Sequence, residues 1–182
     1  MTNHIDLGTV LRQTLSANLY SNLVTRPTGA AVRSQIELML RTSERTLTVL
    51  DFSHVSMIDF SCADEVIAKL LLGHGRQDRE AYFVFRGMTD DHWDAIEAVL
   101  ERHGLALVVE RDQGVELVGV LEDRERRVFQ AIIHRGGSAV AWELAIDMNE
   151  PESTIGALLE RMWRRRLIMR EGDAYMPVGE LA

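Results

Sequence analysis

Two periodicities of apolar and polar positions divide the chain. From residue 6 to 22 they compete: Leu7, Val10, Leu11 and Leu15 recur at helical spacing, whereas 19–24 also reads as a strand. Thr25-Arg26-Pro27-Thr28 then predicts a helix start, because proline is preorganised for a first turn whose N–H has no helical partner. Val32, Ile36, Met39 and Leu40 supply that helix with an apolar stripe. A strand is predicted over 46–52, an apolar approach over 55–58, and a helix over 63–72 that stops at Gly73-His74-Gly75. A strand over 81–85 and a helix over 90–103 follow, the helix bearing Trp93, Ile96, Val99 and Leu100 and closed by Gly104. Strands over 105–109 and 115–118 flank a turn at Asp112-Gln113-Gly114.

Near residue 120 the alternation of strand and helix ends. Helices are predicted over 122–134 (Val128, Phe129, Ile132, Ile133), 139–148 (Val140, Trp142, Leu144, Ala145, Ile146) and 151–167 (Ile155, Leu158, Leu159, Met162, Trp163). Trp142 and Trp163 are expected in the core, since they share helical spacing with aliphatic residues. Two short strands, 168–170 and 174–177, flank the turn Glu171-Gly172-Asp173. The expected class is α/β, a mixed sheet packed with helices over 1–119, followed by a small three-helix and hairpin domain over 120–182.

Composition narrows the chemistry. The 182 residues carry 46% apolar side chains and a net charge of −8, a globular mixture unsuited to non-specific attraction to nucleic acid or anionic membrane. Lys69 is the sole lysine, hence the one side-chain amine available for a Schiff base. The single Cys62 excludes an intramolecular disulfide, a zinc ribbon and a Cys-x-x-Cys pair, and points to a reducing, cytoplasmic setting. No apolar run approaches the roughly 20 residues of a membrane span, and the first residues show no signal-peptide pattern. Gly73-x-Gly75 lacks the third glycine of a dinucleotide fingerprint, so no cofactor is expected. His54, His74, His92, His103 and His134 show no ligand spacing and are expected at the surface.

The densest chemistry lies between Leu47 and Glu65, where an apolar strand ends in Asp51 and Asp59-Phe60-Ser61-Cys62-Ala63-Asp64-Glu65 opens a helix. This stretch resembles the STAS family, the fold of bacterial anti-sigma-factor antagonists, over roughly residues 19–118. Asp51 matches the family's strand-end aspartate, Asp59 its motif aspartate, and Ser61 the serine phosphorylated in the antagonists. Phe60 and Cys62 stand where the family has serine and glycine, and Ser61-Cys62-Ala63-Asp64-Glu65 is similar to a STAS-like subgroup with Ser-Phe-Ala-Asp-Glu. The resemblance implies that the loop at Thr25 and Arg26 lies beside 59–61. A partner-binding surface is therefore expected at Thr25, Arg26, Asp59, Phe60, Asp64 and Glu65, with Ser61 as a phosphorylation candidate.

Read without the resemblance, Ser61-x-x-Asp64 is a helix cap, and Thr25 caps the preceding helix. Both readings of Ser61 stand at this point. Clustered carboxylates at Asp51, Asp59, Asp64 and Glu65 also suit a hard cation, but two of them fit backbone caps better, so no metal is expected.

The 120–182 segment resembles a winged helix-turn-helix domain, with 151–167 as recognition helix and 170–177 as wing. Ser153, Thr154, Arg161, Arg164, Arg165 and Arg170 are its candidate DNA contacts. The segment nonetheless holds 9 arginines against 11 acidic residues, a poor balance for neutralising phosphates.

The expected function is that of a non-enzymatic bacterial regulator: a STAS-like signalling module coupled to a winged helix. Its partner would be a kinase-like or sigma/anti-sigma protein, with a homodimer as a further arrangement. The alternatives are a transcription regulator binding DNA through 120–182 and, third, a metal-dependent hydrolase using Asp51, Asp59 and His54.

Overall fold

A computed structural model describes residues 2–16, 21–43, 47–74 and 81–179. Of the sequence expectations, those at Leu19, Tyr20, Thr46 and Gly75 lie outside the described residues. Five strands form a mixed sheet in the order β1 (Asn3–Asp6), β3 (Leu47–Asp51), β5 (Tyr82–Arg86), β6 (Ala106–Arg111), β7 (Gly114–Gly119). All neighbours are parallel except β6 and β7, which form an antiparallel hairpin. A separate parallel pair joins β2 (Asn22–Leu23) to β4 (Met57–Ile58). β1 was not predicted: only Ile5 of its four residues is buried, too short a pattern for an alternation to register. Asp6 ends it and caps α1 (Leu7–Leu15), accepting from the Gly8 and Thr9 N–H groups.

One face of the sheet, through Ile5, Leu50, Phe83, Phe85, Leu107 and Val109, packs on α1, α2 (Arg26–Thr42), α3 (Phe60–Ala63), α4 (Lys69–His74) and α5 (Asp90–His103). The residues between them, Val49, Tyr82, Val84, Ala106 and Val108, pack on the C-terminal segment. Burial of both faces explains why these strands read as unbroken apolar runs. The C-terminal segment folds as α6 (Asp123–His134), β8 (Ala139–Val140), α7 (Ala141–Met148), α8 (Glu152–Arg164), β9 (Ile168–Glu171) and β10 (Ala174–Pro177). Its strands form an antiparallel sheet in the order β8-β10-β9. Val128, Phe129, Ile132, Ile155, Leu159 and Met162 meet the sheet residues in one continuous apolar interior, and Trp163 Nε1 donates to the Tyr82 hydroxyl at 3.1 Å. The expected boundary at 119/120 thus falls between β7 and α6 and is spanned by a shared core.

Several expectations need correction. Trp142 is 54% exposed and Ile146 69% exposed, because Val140 enters β8 and α7 presents only Leu144 and Ala145 inward. Met39 is likewise exposed on α2, whose buried face is Gly29, Val32 and Ile36. His92 is fully buried: its Nδ1 accepts from the Thr89 N–H and its Nε2 bonds the Val55 carbonyl, closing the cap of α5. At the far edge of the sheet, Arg126 donates to the carbonyls of Leu117 and Gly119 on β7. Among the described residues, no helix is long and apolar enough to cross a membrane.

Candidate functional site

The parallel pairing of β2 with β4 delivers two chain segments to one corner: Thr25 and Arg26 leave β2 as Asp59 leaves β4. Asp59 ties them together. Its Oδ2 accepts from the Thr25 N–H at 2.9 Å, and its Oδ1 accepts from the Cys62 N–H at 2.7 Å and the Ser61 hydroxyl at 2.9 Å. Asp59, not Ser61, is therefore the helix cap; the helix opens at Phe60, three residues earlier than predicted, and Ser61 sits within its first turn. Thr25 makes no side-chain cap either. Its backbone lies at φ 71, a costly conformation for a β-branched residue, at about 1–3 kcal/mol. The Asp59 contact and the bond from the Gly29 N–H to the Thr25 carbonyl hold it there.

Gly29 permits the close approach of α2 and α3, since a Cβ there would meet Cys62 Cα and Glu65 Cβ at 3.0 Å. After Ala63 the helix widens into a π turn, Asp64–Ala68, before continuing as α4. This turn buries two carboxylates side by side, each met by basic side chains. Arg26 Nη1 donates to Asp64 at 2.9 Å and Glu65 at 2.7 Å. Glu65 also takes Lys69 and, at 3.4 Å, Arg33; Asp64 takes His103 Nε2 at 2.7 Å. Arg33, Lys69 and His103 were missed as members of this cluster. The first two were legible: Arg26, Gly29 and Arg33 share one helical face, and Glu65 and Lys69 are four residues apart. His103 was not, because only the tertiary fold brings the end of α5 here.

Burial alone would raise the pKa of these carboxyls, but their partners outweigh it. Asp59 is held below the ordinary carboxylate range by Thr25, Cys62 and Ser61. Asp64 is lowered by His103 and Arg26, and Glu65 by Lys69, Arg26 and Arg33. The Cys62 thiol is pushed up to about 12 by burial and by the Asp59 charge, so it is a protonated packing residue at neutral pH. Its Sγ–H donates to the Thr25 carbonyl. A lowered carboxylate contributes stability that is fully present above its unfolded value, about 3.9 for Asp and about 4.3 for Glu. That contribution is lost as pH falls through the lowered folded value. Urea midpoints measured between about pH 7 and pH 3 are expected to drop below about pH 4. Glu65→Gln should be the less stable protein at neutral pH, with the gap to the parent closing in acid; a gap independent of pH would contradict this account of the cluster.

The outer surface of the corner combines Arg26, half-exposed, with partly exposed Phe60 and Ser61 and with Met57, 53% exposed. The Arg102 guanidinium lies 5.6 Å from the Phe60 ring centre. All six expected partner-binding residues and Ser61 are thus gathered in one place, although Asp64 and Glu65 are buried beneath Arg26. Asp51 and His54 are turned elsewhere: Asp51 pairs with Arg86 and Ser53, and His54 with Asp6 at 2.9 Å. Among the described residues, no group of three or more His, Cys, Asp or Glu is arranged to hold a metal ion.

The DNA candidates are spread along and beyond α8. Ser153 and Thr154 lie at its start, about 15 Å along the axis from Arg164. Arg161 pairs with Glu122 at 2.7 Å and approaches buried Glu125 at 3.4 Å; Arg165 binds Glu125 through both carboxylate oxygens and the Val120 carbonyl. Arg164 and Arg170 share Glu160, at 3.0 and 3.6 Å. No protein-family model matches the chain, and no curated protein matches its sequence.

Proposed function

We propose that the chain is a non-enzymatic regulatory protein of the bacterial type. In this reading a STAS-like half docks a signalling protein through the corner at Thr25, Arg26, Phe60 and Ser61, and a winged-helix half is carried on the same core. The observation that supports it is the corner itself. Two segments 34 residues apart are latched by one aspartate, with a strained backbone at Thr25, and they frame an exposed surface that mixes a cation, a hydroxyl and apolar side chains. Strain retained at a surface corner is typical of a binding site. Order in the second half, helix, strand, two helices and a hairpin, supports the winged-helix part of the reading.

Ser61 is the natural switch point. A phosphate there would add a charge of about −1.5 to −2 beside Asp59, Asp64 and Glu65. Repulsion would displace the hydroxyl from Asp59 and draw Arg26 outward, altering the docking surface without touching the core. Contact with protein is favoured over contact with DNA, because Arg161, Arg164, Arg165 and Arg170 already have carboxylate partners that phosphates would have to displace.

The test is a photo-cross-linking residue placed at Met57, or at Leu38 as a distant exposed control, in the native cell. One discrete protein adduct is expected from Met57 and none from Leu38; Ser61→Glu should abolish it while the protein still unfolds cooperatively, with only a small drop in the urea midpoint. An adduct indifferent to Ser61→Glu would remove the switch. An absent adduct, together with salt-steep binding of a DNA fragment lost in Arg164→Ala plus Arg165→Ala, would establish the DNA-binding alternative instead.

A further inference from the structure

A cleft of about 300 Å³ opens where the two halves of the molecule meet, and none of its lining residues belongs to the corner just described. Its floor comes from the sheet half: Leu71 in α4, Phe83 in β5 and Leu105 before β6. Its rim comes from the other half, as the three consecutive arginines Arg164, Arg165 and Arg166 at the end of α8. Floor and rim differ in kind. Phe83 is buried and Leu71 and Leu105 pack against the main core, so the base is apolar and fixed.

Each arginine is held differently. Arg165 is committed to Glu125 and to the Val120 carbonyl, so it acts as a wall. The Arg166 guanidinium lies 5.4 Å from the Tyr82 ring centre and 5.9 Å from that of Trp163. Arg164 is 74% exposed and is held by Glu160, a carboxylate it divides with Arg170. It can therefore exchange that contact for another anion at the mouth. In a chain with a net charge of −8, this sets three guanidinium groups above an apolar slot, one of them able to change its partner.

We propose that the cleft binds a small organic acid, a carboxylate on a short acyl or aryl tail. The tail would lie on Leu71, Phe83 and Leu105, and the carboxylate would meet Arg164. The volume is at the lower end of the roughly 300–1,000 Å³ of small-molecule sites, which suits such an acid and excludes a dinucleotide. Because floor and rim belong to different halves, occupancy ties the end of α8 to the sheet. This site stands independently of the protein-docking reading.

Calorimetric titration of the full chain with sodium octanoate is the test, with octan-1-ol and butyrate as comparison probes. One saturable site for octanoate is expected, with octan-1-ol and butyrate weaker by about tenfold or more. Arg164→Gln should weaken octanoate by about tenfold and leave octan-1-ol unchanged. Leu72→Trp, at an exposed position of α4 that lines the cleft, should block both probes while the thermal midpoint reports an intact fold. No saturable binding of octanoate would overturn the proposal. Equal affinity for acid and alcohol, or binding unaffected by Arg164→Gln or Leu72→Trp, would do the same.

Discussion

A chain ended at Gly119 is expected to be insoluble, or to collapse without a cooperative transition. The sheet's second face carries Val49, Tyr82, Val84, Val108, Val115 and Leu117, all buried in the whole molecule against residues beyond 120. Burial of one such side chain contributes about 1.5–3 kcal/mol. Exposing six therefore removes an amount comparable with the whole net stability of a domain, about 5–15 kcal/mol. The exposed surface would also be a flat apolar patch, the kind that drives association. The check is the soluble yield and urea unfolding of residues 2–119 beside the full chain, which is expected to unfold in one step. A monomeric fragment with its own sharp transition would mean that the interior shared by the two halves contributes little.

Asp59→Ala is expected to lower stability by about 1–3 kcal/mol. The substitution removes a helix cap, worth about 0.5–2 kcal/mol. It also strips the Thr25 N–H of its acceptor while that residue stays in a costly backbone conformation. Asp59→Asn keeps one oxygen and should lose less. Ser61→Ala removes a hydroxyl that donates to the same carboxylate and should cost under about 1 kcal/mol. Urea midpoints of the three variants rank them. Should Ser61→Ala prove the most damaging, the cap would belong to the serine, as the spacing of Ser61 and Asp64 alone suggests. Any variant that keeps its stability but loses the Met57 cross-link separates docking from folding.

These two results bear on how far the chain can be read without coordinates. Helices α2, α5, α6 and α8 are legible because each carries a regular apolar period, and strands β3, β5, β6 and β7 because each is a short, mostly apolar segment set off by polar or glycine residues. The failures have local causes. β8 is two residues long and looks like the first turn of α7. Trp142 satisfies a helical period yet faces solvent, because pattern alone does not say which side of a helix has a neighbour. In the corner, Ser61-x-x-Asp64 imitates a capping box, but the helix already opens at Phe60 and the Asp59 carboxylate takes the Cys62 N–H, so the cap is Asp59. The resemblance leads to the expectation that Thr25, Arg26 and Asp59 lie together; the burial of Asp64 and Glu65 under three basic side chains and a histidine is no part of that expectation.

Arg126 has a consequence for self-association. Its guanidinium occupies the outward carbonyls of Leu117 and Gly119, the acceptors an incoming strand would need to lengthen the sheet beyond β7. Lateral recruitment of another molecule's strand is blocked on that side by a single charged side chain. On the five-stranded sheet, the opposite border at β1 remains for a twofold, edge-to-edge pairing, and only over the four residues Asn3–Asp6. So short a seam can join two copies; it is a poor template for a growing fibre.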